Sequence, residues 1–259
     1  MRALGVHPDV VVVVSRVWQT TCTAVRAGDE ALVVDSPVLP DELEALPSLL
    51  EQAGFPVRGL LVTHADWDHL LGRLAFPGAS LGCAETTAAR LAAEPGRAQR
   101  ELREFDQRWY LERAPLSLGA VQSLPVPGYC GVGSEELELH PADGHTVDGM
   151  ALLVPWASVL LCGDYLSPVE IPMLSEGGSL DPYLATLERL APLVEESETV
   201  VPGHGPPLAR DRALAVLEED RAYLEALRAD GAAAPLPPGR DTREQRRVHG
   251  ENAERAAAG

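Results

Sequence analysis

The sequence predicts an α/β fold in which two β-sheets pack on each other beneath outer helices. Three observations carry that expectation. Apolar, β-branched runs fall in two groups, one within residues 9–63 and one within residues 119–162. Stretches with helical leucine spacing lie between and after them. A hydrophobic content of 46% in 259 residues is enough for a sizeable core. Strands and helices in that order resolve into layers, because each apolar face must be covered by another element.

Residues 9–17, 20–26 and 30–35 are β-branched runs bounded by turn residues, and Gly28-Asp29 supplies a hairpin turn. Residues 40–53 place Leu43, Leu46, Leu49 and Leu50 at helical spacing, with Gly54 as the stop. Strands are expected at 57–63 and 80–83. Residues 85–113, rich in Ala, Glu, Arg and Leu, predict helix broken near Pro95-Gly96. On it, Phe105, Trp109 and Tyr110 read as core packing. Strands resume at 119–126, 136–140, 150–154 and 158–162. Helices at 181–195 and 207–229 flank a strand at 199–201. The Pro/Gly/Ala-rich stretch DGAAAPLPPGR, residues 230–240, reads as a linker. Residues 242–258 then form a short helix capped by Asp241 or Thr242. The expected division is one domain over 1–229, with linker and terminal helix over 230–259.

Twenty-one basic against 39 acidic side chains give a formal charge of −18. Such a surface repels phosphate backbones and anionic membranes, so neither nucleic acid nor a membrane is an expected partner. The four cysteines, at 22, 83, 130 and 162, form no Cys-x-x-Cys pair, which favours free thiols in a reducing compartment. The five valines at 10–14 are too few for a membrane span or a signal segment. A cytoplasmic protein is expected.

One segment stands out chemically. THADWDH, residues 63–69, places His64, Asp66, Asp68 and His69 directly after an apolar strand. Alternating side chains on extended chain share a face, and imidazole and carboxylate are the usual ligands of zinc, iron or manganese. A polar strand-to-helix turn, with an aspartate as helix cap, explains the segment equally well when it is taken alone. Three later segments repeat the device of a strand end, a glycine and one ligand-type residue: PADGHTVDG with His145, LLCGDYLS with Asp164, and VVPGHGPP with His204. Four of the seven histidines fall in these places; His7, His140 and His249 do not.

His-x-Asp-x-Asp-His followed by Gly-His-Thr, Gly-Asp and Gly-His-Gly resembles the motif series of metallo-β-lactamase-fold hydrolases, over about residues 10–226. The resemblance implies a four-layer αββα sandwich. It also implies two divalent metal ions, with His64, Asp66 and His145 on one, Asp68, His69 and His204 on the other, and Asp164 bridging. Two such cations, roughly 3.5–4 Å apart, share a hydroxide and lower the pKa of bound water toward about 7. Asp68 would also orient that nucleophile. Zinc is the first expectation for the metal. Asp66 departs from the family pattern, where most members carry histidine. Its added negative charge favours harder cations, so iron or manganese enter as alternatives.

Within the family, zinc β-lactamases usually lack the bridging aspartate, and nucleases of the fold would carry basic surface. The acidic chain looks closer to the thioesterase, lactonase and hydroxyacylglutathione hydrolase branch. The expected reaction is hydrolysis of a small ester, thioester or lactone by a metal-bound hydroxide. The alternative is a diiron-type oxygen or nitric oxide reductase with a separate redox partner, since those members also carry a carboxylate at the position of Asp66. Tyr165, Glu170 and Met173, in the loop after Asp164, are the candidate contacts to a small-molecule substrate. Trp67 reads as cover for the metals or for the sheet edge.

Overall fold

A computed structural model of the protein describes residues 1–258. The first sheet is laid down in chain order by β1 (Arg2–His7), β2 (Val10–Val14), β3 (Thr21–Ala27), β4 (Glu30–Asp35), β5 (Val57–Leu61), β6 (Ser80–Ala84) and β7 (Val121–Leu124). It is antiparallel through β4 and parallel from β4 to β7. The second sheet holds β8 (Gly128–Val132), β9 (Glu135–Pro141), β10 (Met150–Val154), β11 (Val159–Leu161), β12 (Thr199–Val201) and β13 (Leu208–Ala209), in spatial order β13-β12-β11-β10-β9-β8. The helices are α1 (Pro40–Gln52), α2 (Gly72–Ala75), α3 (Glu85–Ala93), α4 (Arg97–Trp109), α5 (Leu180–Glu196), α6 (Arg210–Asp230) and α7 (Arg243–Ala258).

Period-two alternation explains how these strands make layers. On β2, Val10, Val12 and Val14 face the second sheet while Val13 faces the helices. On β10, Met150, Leu152 and Val154 face the first sheet, and Ala151 and Leu153 face α5 and α6. The result is three apolar clusters: one between the sheets, one between the first sheet and α1, α2 and α4, and one between the second sheet and α5 and α6. The central strands are buried on both faces, which accounts for their nearly continuous apolar sequences. This is the αββα sandwich. Among the described residues, no helix is long and apolar enough to cross a membrane.

The expected strands and helices recur with ends shifted by a few residues. Three strands lie outside the reading. β1 and β8 are outermost in their sheets and carry glycines at Gly5, Gly128 and Gly131, which weaken the strand pattern; β13 is only two residues long. The aromatic trio also behaves differently. Phe105 packs against Trp18 and Trp67, but Trp109 and Tyr110 at the end of α4 are exposed. At the terminal helix, Thr242 is the cap: its Oγ1 accepts the Gln245 amide at 3.2 Å. The 230–240 stretch, linker-like in composition, ends in Arg240, whose side chain is fully buried.

Candidate metal centre

The chain leaves the sheets at neighbouring places, and each exit delivers one or more ligand-type side chains. β5 runs into Thr63 to His69, the β9–β10 connection carries His145, β11 leads into Gly163-Asp164, and β12 into Gly203-His204. Two glycines are required by geometry. Gly163 sits at φ +59°, in the left-handed region that favours glycine. A Cβ on Gly203 would collide with Asp164 Oδ1. His204 is held against the β2–β3 connection by a bridge to Thr20.

Each of the four imidazoles is oriented through Nδ1. His69 Nδ1 donates to Asp35 Oδ2 at 3.0 Å, and His145 Nδ1 donates to the Met173 carbonyl at 2.7 Å. His204 Nδ1 donates to the Trp18 carbonyl at 3.2 Å. Thr63 Oγ1 donates to Asp35 at 2.9 Å and therefore accepts from His64 Nδ1, 3.0 Å away. With Nδ1 committed, all four Nε2 atoms point inward, the arrangement in which an outer partner fixes ring orientation and ligand basicity.

Inside, Asp164 lies within reach of every imidazole. Its Oδ1 is 3.1 Å from His69 Nε2, and its Oδ2 is 3.3 Å from His145 and His204 and 3.7 Å from His64. Asp66 Oδ2 is 3.5 Å from His145 Nε2 and 3.7 Å from His64 Nε2. Asp68 Oδ2 is 3.5 Å from His204 Nε2 and 3.7 Å from His69 Nε2. Two groups of donor atoms thus gather, His64/Asp66/His145 and Asp68/His69/His204, with Asp164 between them. His64 Nε2, His69 Nε2, His145 Nε2 and Asp164 Oδ1 are buried without any hydrogen-bond partner. Buried polar atoms left unsatisfied are costly, and cations would satisfy all of them at once. The donor set fits a divalent pair. Asp66 makes no helix-capping hydrogen bond; its carboxylate faces the cluster.

Charges in the cluster are strongly coupled. Burial alone would push the His145 and His204 imidazoles down, but the facing Asp164, helped by Asp66 at His145 and Glu170 at His204, raises both to about 10. Burial opposes the charge on Asp164 as well, yet His204, His69 and His64 hold it well below the ordinary carboxylate range. His64 is the exception: burial and the nearby His69 push it down. His69 is raised as well, by Asp164, Asp68 and Asp35 against the effect of burial. At neutral pH metal uptake is therefore expected to displace protons from the cluster, and apparent affinity should rise with pH. Adding zinc to chelator-stripped protein at pH 7 in dilute buffer is expected to acidify the solution; uptake with no proton release would contradict this account.

The floor of a cavity of about 380 Å³ is formed by Asp66, Asp68, His145, Asp164 and His204. Trp18 and Trp67, in edge contact at 5.7 Å, form one wall. Glu170 and Met173 also line it. Tyr165 does not line this space. It is 2% exposed, and its hydroxyl accepts the His145 amide at 3.0 Å, so it braces the ligand loop from behind. Residues 244, 245, 247, 248 and 255 of α7 also border the cavity. His249 lies elsewhere, between the Tyr223 hydroxyl and the Ala232 carbonyl.

Three supporting residues escaped the sequence reading. Asp35, held at φ +59°, orients His69 and accepts the Thr63 amide at 2.8 Å. Asp148 accepts the Ala65 amide at 2.9 Å, and Arg90 donates to both Asp148 and Asp66 at 2.8 Å. Asp35 carried a usable signal, since it too is a polar residue closing an apolar strand.

The model of the Metallo-beta-lactamase superfamily matches residues 15–204. A hydroxyacylglutathione hydrolase from Rhodobacter capsulatus is 31% identical over 209 residues, covering 80% of this chain and 68% of that protein. Among solved structures, a metallo-beta-lactamase family protein from Thermus thermophilus superposes with a TM-score of 0.67 at 22% identity, covering 90% of this chain and 86% of that one. A metallo-beta-lactamase from Pontibacter korlensis gives 0.62 at 18%, covering 84% and 98%. At these identities the structural likeness speaks for the fold alone, while the family match, which begins just after β2, spans the motif series from His64 to His204. The chain belongs to the metallo-beta-lactamase superfamily.

Proposed function

We propose that this metal-dependent hydrolase cleaves a small ester, thioester or lactone with a dinuclear centre. His64, Asp66 and His145 would hold one cation, Asp68, His69 and His204 the second, and Asp164 both. The observation that carries this reading is the convergence of four oriented Nε2 atoms and three carboxylates, with His145, His204 and all three carboxylates opening on one cavity. When bound, the cations supply Lewis acidity, making a water nucleophilic near neutral pH and polarising the substrate carbonyl. Zinc is the first choice, with iron or manganese favoured by the third carboxylate.

The chain's own residues do the rest. Asp68, at the cavity floor, orients the attacking water and takes its proton. Trp18 and Trp67 restrict bulk water, and Glu170 and Met173 contact the small-molecule substrate. The acyl carbon gains the water oxygen, the C–O or C–S bond breaks, and the leaving alcohol or thiol receives a proton. The name of the Rhodobacter relative supports the thioester branch. Four free thiols, three of them buried, suit a reducing cytoplasm.

Elemental analysis of protein purified without chelators, followed by thioester, lactone, ester and phosphodiester assays under the metal found, tests the reading. Turnover of an acyl substrate, lost on chelation and regained on metal addition, is expected. Full activity in metal-free protein would overturn it. The inward-facing Asp66 carboxylate is the observation behind the second reading, oxygen or nitric oxide reduction with a separate redox partner. Dioxygen consumption by the iron-loaded protein, without acyl hydrolysis, would favour that one.

A further inference from the structure

We infer that Arg90 is the positioning residue that sets Asp66 for its cation, holding one carboxylate oxygen back so that only the other faces His64 and His145. The inference rests on the metal-dependent reading above. Arg90 lies on α3, and its side chain is 6% exposed. One guanidinium nitrogen donates to Asp66 Oδ1 and the other to Asp148 Oδ1, each at 2.8 Å. Asp148 is itself fully buried, and its second oxygen accepts the amide of Ala65, the residue between His64 and Asp66. A single planar fork thus ties the side chain at 66 to the carboxylate that fixes the backbone at 65.

Three consequences follow for Asp66. With Oδ1 committed to Arg90, the carboxylate cannot turn out to cap the following helical turn, and it makes no such bond. Only Oδ2 is left to face His145 and His64, at 3.5 and 3.7 Å, so coordination would be through one oxygen. Arg90 adds no net repulsion toward a cation, because Asp66 and Asp148 together outweigh its charge. The competing explanation is that Arg90 only neutralises Asp148 and steadies α3. The two differ in whether the effect of Arg90 depends on a carboxylate at 66.

Zinc affinity, measured by competition with a chromophoric chelator, separates them. Wild-type protein is expected to take up two equivalents. Arg90→Met should weaken one by about 10–100-fold, the usual cost of losing an outer partner of a ligand, and leave the other unchanged. In an Asp66→His background, where the imidazole offers no oxygen to the guanidinium, adding Arg90→Met should change affinity by no more than about twofold. Arg90→Lys keeps the charge beside Asp148 but cannot span both carboxylates, so it should weaken the same equivalent and serves if Arg90→Met does not fold. Unchanged affinity in either variant, or an equal loss in both backgrounds, overturns the inference. A wild-type protein that binds no zinc, iron or manganese would remove the metal reading itself, a different failure.

Discussion

Asp164→Ala is expected to empty both halves of the cluster and to lower turnover by more than the roughly 10–100-fold that loss of an outer-sphere partner costs. Asp164 is the one carboxylate within 3.7 Å of all four imidazoles. Without it, each cation of the proposed pair would keep two imidazoles and one carboxylate, with the repulsion between the cations unscreened. The metal-free fold should survive the change. The Asp164 main-chain carbonyl still accepts the Tyr183 hydroxyl at 3.1 Å, and the facing imidazoles, once their counter-charge is gone, can release their protons. Metal content by elemental analysis, with melting of the stripped protein as control, checks this. Normal metal content in Asp164→Ala would show that the residue bridges nothing.

The second large effect concerns stability. Arg240→Met is expected to destabilise the fold by about 3–5 kcal/mol, the usual cost of breaking a buried ion pair by removing one partner. Arg240 is fully buried. It donates to Asp220 Oδ1 at 2.5 Å, to Glu219 at 3.0 Å, and to the carbonyls of Ser167 and Glu170 at 3.0 and 2.9 Å. Its loss strands the buried Asp220 and frees the loop that walls the cavity. For a chain of this size the melting temperature should fall by roughly 10 °C. The double variant Arg240→Met/Asp220→Leu should recover much of that loss, since an apolar pair can replace a buried ion pair nearly neutrally. A melting temperature within about 2 °C of wild type for Arg240→Met would contradict this role.

Arg240 also shows where sequence reading stops. Its segment, DGAAAPLPPGR, has linker composition, and nothing local marks its last residue as the most enclosed arginine in the protein. Its partners stand 20 and about 70 positions away. Arg90 and Asp148 were silent for the same reason, as the three-way contact with Asp66 spans 24 and 58 residues. The ligand-type residues were legible because they recur in one local form, a strand end followed by a tight turn. Two packed sheets were legible because apolar runs such as β2 and β10 cluster in two groups with helical stretches between and after them, and the αββα form followed from the motif resemblance. Glycine-bearing β1 and β8 lacked such a run. Tyr165 misled because proximity to Asp164 in sequence says nothing about which way a side chain leaves the strand end; here it turns back to brace His145.

Further experiments can begin with crystals grown in excess zinc. An anomalous difference map should show two peaks in each chain, roughly 3.5–4 Å apart, one among His64, Asp66 and His145 and the other among Asp68, His69 and His204, with Asp164 touching both. Peaks only at other sites, or none where these side chains meet, would contradict the metal centre.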